Sequence, residues 1–277
     1  MMKFEKLTRP VSISDALLQC TRAELAADAV WREKLMNGIS GDRPFMSSVT
    51  ALPRAPHRKA SGQYRMLNKG KDRGEVWLYG IIGMDWFGDG VTAKQFAADL
   101  KALGAVKTID LRINSDGGVV TDARAMYNLL VEHPAKVISH IDGIAASAAS
   151  FVAMAGSEIE IAEGGFVMIH EARGVTFGTA EDHERMGGVL RQVNQTIVDT
   201  YVARTNQDAK KVRDWMAAET WFDGKEAVEA GFADRIVENM KVAASLDHSA
   251  MFQNLPAALM PRRAAAAAAL SRIAAAR

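Results

Sequence analysis

The stretch Ile109-Asp-Leu-Arg-Ile-Asn-Ser-Asp-Gly-Gly118, followed by Val119 to Pro134, decides how this chain folds. Ile109, Leu111 and Ile113 alternate with Asp110 and Arg112, the period of two expected of a strand. Asn114 to Gly118 reads as a turn, and Val119, Ala123, Met126 and Leu130 recur at helical spacing up to Pro134. Strand, Gly-rich turn and helix make one unit, and the unit recurs on both sides. Downstream come a strand Lys136 to Ile141, a turn at Asp142-Gly143 and a small-residue helix through Met154. Strands near Glu158 to Ile161 and Phe166 to His170 follow. A long helix starts at Thr179, with Asp182 three residues on and Met186, Leu190, Val193, Ile197 and Tyr201 along one face. A last strand is expected near Asp234 to Val237. Upstream, Val76 to Ile82 is a β-rich run, and Thr92 to Gln95 fits a capping box ahead of a helix with Phe96, Leu100 and Leu103 on its apolar face. This alternation predicts an α/β chain.

Three regions are expected: an extension over 1–74, the α/β domain over 75–240 and a tail over 241–277. The extension starts with a predicted helix, Ser14 to Met36, that ends at Asn37-Gly38. From Arg54 to Arg73 basic residues outnumber acids, with Asp72 the single acid, and Pro53, Pro56, Gly62 and Gly70 interrupt regular structure. The stretch reads as an exposed linker, either a solvated tether or a pro-segment junction open to cleavage. The tail, with an Ala run and four arginines after Met251, reads as a loosely held helix or an unstructured end that adds little to the core.

The 277 residues, 48% hydrophobic and 24% charged, suffice for one large core. A net charge of +1 gives no overall field of the kind that marks a nucleic-acid or membrane binder. One cysteine, Cys20, excludes an internal disulfide, and the N-terminus lacks the basic-then-apolar pattern of a secretory signal. No apolar run nears the ~18 residues of a membrane span. The expectation is a soluble, cytoplasmic protein. No Gly-x-x-x-x-Gly-Lys-Ser/Thr loop and no His-Glu-x-x-His spacing occurs, so neither a nucleotide, a metal nor another cofactor is expected.

Serine becomes a nucleophile only where a base takes its proton and N–H donors await the oxyanion. Ser147, in Gly143-Ile-Ala-Ala-Ser-Ala-Ala-Ser150, falls at a predicted helix start after a strand, where N–H groups are free. Close packing explains a serine among alanines equally well. The paired Gly117-Gly118 could present an N–H to a neighbouring site or simply make a tight turn. His170 ends an apolar strand and is followed by polar Glu171 and Arg173, as suits a ring at the mouth of a cleft, although a structural histidine fits there too. His140 and His183 read as structural.

Taken together, Arg112-Ile-Asn-Ser-Asp-Gly-Gly-Val119, Asp142-Gly-Ile-Ala-Ala-Ser-Ala-Ala149, Met168-Ile-His170 and Glu219 to Asp234 resemble the proteolytic subunit of the Clp protease. The likeness is greater to its phage-encoded relatives, the prohead or head-maturation proteases, and runs from about Val76 to Val237. The resemblance implies a crotonase-like, ClpP-like spiral of β-β-α units with an N-terminal extension and a C-terminal tail. It implies a serine endopeptidase with Ser147 as nucleophile, His170 as base and the backbone N–H groups of Gly118 and Ala148 as oxyanion donors. Ser150 is the weaker candidate. The third member falls on Glu219, where the family has aspartate, with Asp223 and Asp214 as rivals. Asp116 stands where the housekeeping enzyme has proline. Implied partners are further copies of the chain in rings, joined by the long helix, and protein substrates such as capsid, scaffold or portal proteins. Alternatives are a housekeeping-type peptidase fed by a AAA+ unfoldase, an acyl-CoA enzyme of the same fold, and a catalytically silent capsid-assembly factor.

Overall fold

The computed structural model describes residues 64–84, 90–238 and 252–259. The predicted helix Ser14 to Met36, the first part of the linker and most of the tail lie outside them. Among the described residues an eight-stranded sheet is built from β1 (Arg65–Gly70), β2 (Arg73–Ile82), β3 (Thr108–Gly118), β4 (Lys136–Ala146), β5 (Glu158–Ala162), β6 (Phe166–Ile169), β7 (Thr220–Asp223) and β8 (Arg235–Val237). Its main path runs β1-β2-β3-β4-β5-β8, while β6 pairs with β4 and β7. The β1–β2 and β6–β7 pairs are antiparallel and the others parallel. Helices α1 (Ala93–Leu103), α2 (Val120–Glu132), α3 (Ala148–Ala153), α4 (Ala180–Thr205), α5 (Ala209–Ala217) and α6 (Gly224–Ala230) connect the strands. None of the described helices is long and apolar enough to cross a membrane.

The alternation of β3 does what its pattern requires: Ile109, Leu111 and Ile113 are fully buried against Ala123, Met126 and Leu130 of α2 in one core. Asp110 and Arg112 line the opposite face, where Arg73 and His140 meet Asp110 and Arg112 pairs with Asp142 at 2.5 Å. Thr92 caps α1 by accepting the Gln95 N–H, but the expected box is half made, because the Gln95 side chain bonds Asp99 instead. At Thr179 the full capping box forms with Asp182.

Four expectations are corrected. Arg65–Gly70, assigned to the linker, is an edge strand turned onto β2 through Lys71 and Asp72, both at positive φ as a two-residue hairpin demands. The sheet therefore begins ten residues before the expected domain boundary at Glu75. Asn114–Gly118 does not leave the sheet as a turn but prolongs β3, with side chains bracing the strand where the register shifts. Ser115 Oγ donates to the Gly80 carbonyl at 2.5 Å and accepts the Gly117 N–H, while Asn114 Oδ1 accepts the Ile144 N–H at 3.1 Å. Likewise Asp142-Gly143 lies inside β4. The first half of that strand pairs with β5 and the second with β6, so β4 forks the sheet at this point. Finally, the apolar stripe of α4 is divided: Ile197 and Tyr201 belong to the core, and only Met186, Leu190 and Val193 remain partly exposed.

Candidate active site

The fork delivers two strand ends to one place. Parallel pairing sets Ala146 of β4 beside Met168 of β6, and the Ser147 N–H continues the ladder by donating to the Met168 carbonyl at 2.9 Å. Ser147 then turns abruptly at φ 52 and ψ −125 to become the N-cap of α3. That backbone region is disfavoured for a residue with a Cβ, by about 1–3 kcal/mol. Two residues past Met168, His170 places Nε2 at 2.7 Å from Ser147 Oγ. The two side chains singled out in the sequence are thus hydrogen-bonded to each other.

Gly117 and Gly118 lie against this corner at φ 97 and 143. A Cβ on Gly117 would stand 2.8 Å from the Ala148 nitrogen and from Ser147 Cβ, and one on Gly118 would meet the Ile82 carbonyl at 2.0 Å. Only glycine lets the β3 end come this close. Ala148, in the first turn of α3, has an N–H without an intrahelical acceptor. Ser150 is fully buried: its hydroxyl donates to the Ser147 carbonyl at 2.6 Å and receives the Tyr201 hydroxyl at 2.8 Å, so it is a structural brace. Beside the Ser147–His170 pair opens a small apolar pocket walled by Val120, Ala123, Phe151, Ala172 and Ile197.

Which carboxylate lies beside His170 follows from register. In the β6–β7 pair Ile169 stands opposite Thr220, so the preceding Glu219 comes opposite His170. Asp223 pairs with Phe166 at the far end of the ladder, about 13 Å along the strand. There it caps α6 in a box with Glu226. Asp214 is exposed and paired with Lys210 at 2.7 Å. Glu219, 5% exposed, lies beside His170 but does not bond it: Oε2 is 4.0 Å from Nδ1 and holds Arg173 Nη2 at 2.6 Å. Nδ1 is buried without a hydrogen-bond partner. Burial, and then the Arg173 charge, push the His170 imidazole down to about 4 against the opposing pull of Glu219. At neutral pH the ring is uncharged, and Nε2 can accept a proton.

His140, held between Glu160 at 2.7 Å and Asp110 at 3.1 Å, and His183, exposed on α4, are remote from this corner, as their sequence settings suggest. Sequence reasoning missed two contributors. Arg173 stood out only as a polar residue after a strand. The segment 252–259 was taken for a tail, yet Phe252 meets the His170 ring at a centroid distance of 6.4 Å and Trp221 at 5.3 Å. The Gln253 and Asn254 N–H groups donate to Glu219 Oε1 at 2.5 and 2.7 Å. Nothing in the local sequence marks these contacts, since they use backbone donors.

A hydroxyl on a strained strand-to-helix turn, bonded to a neutral imidazole beside a buried carboxylate, has the parts of a serine-type hydrolase. The chain belongs to the Clp protease family, a family of serine-type peptidases, whose model matches residues 85–240. Among solved structures it is similar to a mutant of ClpP1 from Listeria monocytogenes, with 20% identity and a TM-score of 0.51 over 58% of this chain and 90% of that one. That likeness is one of fold.

Proposed function

We propose that this protein is a ring-forming serine endopeptidase that works without a cofactor in the cytoplasm of a bacterial or infected cell. Its substrates in this reading are the capsid, scaffold or portal proteins of a tailed phage or prophage, cleaved during head maturation. The observation that carries the chemistry is the 2.7 Å contact between Ser147 Oγ and His170 Nε2 at the start of α3. The phage assignment is supported by the likeness of the motifs around Gly117-Gly118, Ser147, His170 and Glu219 to head-maturation proteases.

In this mechanism Ser147 Oγ attacks the scissile carbonyl carbon as its proton passes to His170 Nε2. The Gly118 and Ala148 N–H groups take the oxyanion of the tetrahedral intermediate. Collapse breaks the C–N bond, and the imidazolium gives its proton to the departing amine. A water deprotonated by His170 then attacks the acyl-enzyme and frees Ser147. The small apolar recess beside the pair favours a small apolar side chain next to the scissile bond. In this reading Glu219, whose Oε2 lies 4.0 Å from His170 Nδ1, is the carboxylate that orients the imidazole. A fluorophosphonate is expected to label Ser147, and Ser147→Ala to abolish both labelling and hydrolysis of apolar peptides. Labelling that persists in Ser147→Ala and disappears in Ser150→Ala would transfer the role. A folded wild-type chain that resists the probe and leaves both peptides and capsid proteins intact would instead be a silent assembly factor.

A further inference from the structure

Each oxygen of the Glu219 carboxylate already accepts a hydrogen bond, and none of the donors is the imidazole beside it. Oε2 accepts from Arg173, while Oε1 accepts two backbone N–H groups, from Gln253 and Asn254. His170 Nδ1, 4.0 Å from Oε2, is left buried and unpaired. A buried nitrogen without a partner is unfavourable, and here the natural acceptor is adjacent but held elsewhere.

The segment that holds it is anchored by both polar and apolar contacts. Asn254 Nδ2 donates to the Ala218 carbonyl at 2.7 Å, next to Glu219 in the chain. Phe252 lies edge-on to both His170 and Trp221. Together with Leu259, Phe252 packs on Ile144, Ala146 and Met168, each fully buried, on β4 and β6. These strands lead directly into Ser147 and His170, so the segment sits on the elements that carry the reacting pair.

We propose that Phe252–Leu259 is an intramolecular strap that holds the peptidase in a resting state by keeping Glu219 off His170. The proposal rests on the serine-peptidase reading above. A strap that completed the site would aim a carboxylate oxygen at Nδ1, whereas this one fixes Oε1 and leaves Oε2 to Arg173. When the strap lifts, Glu219 loses two donors, and a shift of about 1 Å brings Oε2 within hydrogen-bond range of Nδ1–H. The carboxylate then fixes the imidazole tautomer and stabilises the imidazolium formed during attack. The flexible Glu side chain, longer by one methylene than the family's aspartate, is suited to move between two partners.

The test uses the full chain. Gln253→Pro/Asn254→Pro deletes both N–H donors to Glu219. Phe252→Ala leaves the backbone donors and removes the aromatic seat. Both are expected to raise the rate of fluorophosphonate labelling at pH 7, the first by about tenfold or more and the second by a smaller factor. The second readout is the His170 ring titration followed by NMR in a Ser147→Ala background, with and without the strap substitutions. Arg173 and Glu219 are the charged groups facing this ring, and engagement of Glu219 should raise the titration midpoint by about one pH unit or more. An unchanged midpoint in both strap variants overturns the proposal, whatever the labelling does. A raised midpoint with unchanged or slower labelling overturns the inhibitory role and makes the segment part of the working site. A raised midpoint with no labelling of any form, wild type included, removes the peptidase reading while the hold of the strap on Glu219 stands.

Discussion

His170 sits where three demands meet. Its Nε2 must carry a lone pair toward Ser147, its ring is largely buried, and Arg173 adds a positive charge nearby. Burial and the arginine both oppose protonation, so the folded protein keeps the imidazole neutral down to about pH 4, against 6.5 for a free histidine. In the unfolded chain the same ring takes a proton near 6.5. The stability linked to this group is therefore fully present above pH 6.5 and is lost as pH falls toward 4, by about 3 kcal/mol. Urea denaturation at pH 7 and pH 4.5 should show a smaller loss for His170→Gln than for the wild type over that window. The acid limb of kcat/KM in the free enzyme should likewise fall nearer pH 4 than 6.5, because the base must be unprotonated to act. An acid limb near 6.5 would mean that the ring is better solvated or better paired in solution.

The element that decides which carboxylate lies beside His170 is β7. Antiparallel pairing with β6 leaves no choice of partner: the residue before Thr220 faces His170, and the residue at the other end faces Phe166. Glu219, just before this four-residue strand, and Asp223, its last residue, thus take different roles. The first is a buried carboxylate beside an imidazole, and the second closes the first turn of α6 by accepting the Lys225 and Glu226 N–H groups. Asp223→Ala is expected to cost about 1 kcal/mol of stability, read by denaturant melts, with little change in turnover. Glu219→Gln is expected to lower kcat/KM by roughly tenfold in the full chain, where the strap keeps most molecules at rest. In the Gln253→Pro/Asn254→Pro background the loss should grow to roughly 10², the scale of a misdirected tautomer. Peptide hydrolysis by the purified variants decides the matter, and equal losses in the two backgrounds would separate Glu219 from the strap.

At the scale of the whole molecule, the ring assembly proposed above needs a surface that the core does not use. The C-terminal half of α4 is spent on the core, with Tyr201 packed against Phe151 and Phe232. Its N-terminal half keeps Val189 at 48% exposure, and Val175 and Phe177 in the preceding loop are similarly exposed. This surface, smaller than the five-residue stripe suggested by the sequence, is where ring-to-ring contact is expected. Val189→Asp should shift the chain toward single rings or smaller species in native mass spectrometry or light scattering, leaving the Ser147–His170 pair unaltered. Unchanged assembly would move the interface to another face.

Patterning local to a few residues was enough for much of this protein. The alternation at Ile109–Ile113, the 3.6 period of α2 and the Thr179 capping box each have a nearby cause and appear as expected. The adjacency of Ser147 and His170 also emerged from sequence, but through resemblance, since residues 23 apart meet only when two strands end at the same level. Strand β1 escaped notice because an edge strand with one residue partly buried and the rest exposed carries no apolar alternation. Extra length in β3 and β4 escaped because side-chain hydrogen bonds from Asn114 and Ser115, and a fork in pairing, sustain strands through residues that usually make turns. The state of Glu219 was decided by tertiary structure alone. Its partners are an arginine 46 positions away and two backbone N–H groups 34 and 35 positions away, and a peptide N–H has the same chemistry whatever side chain it bears.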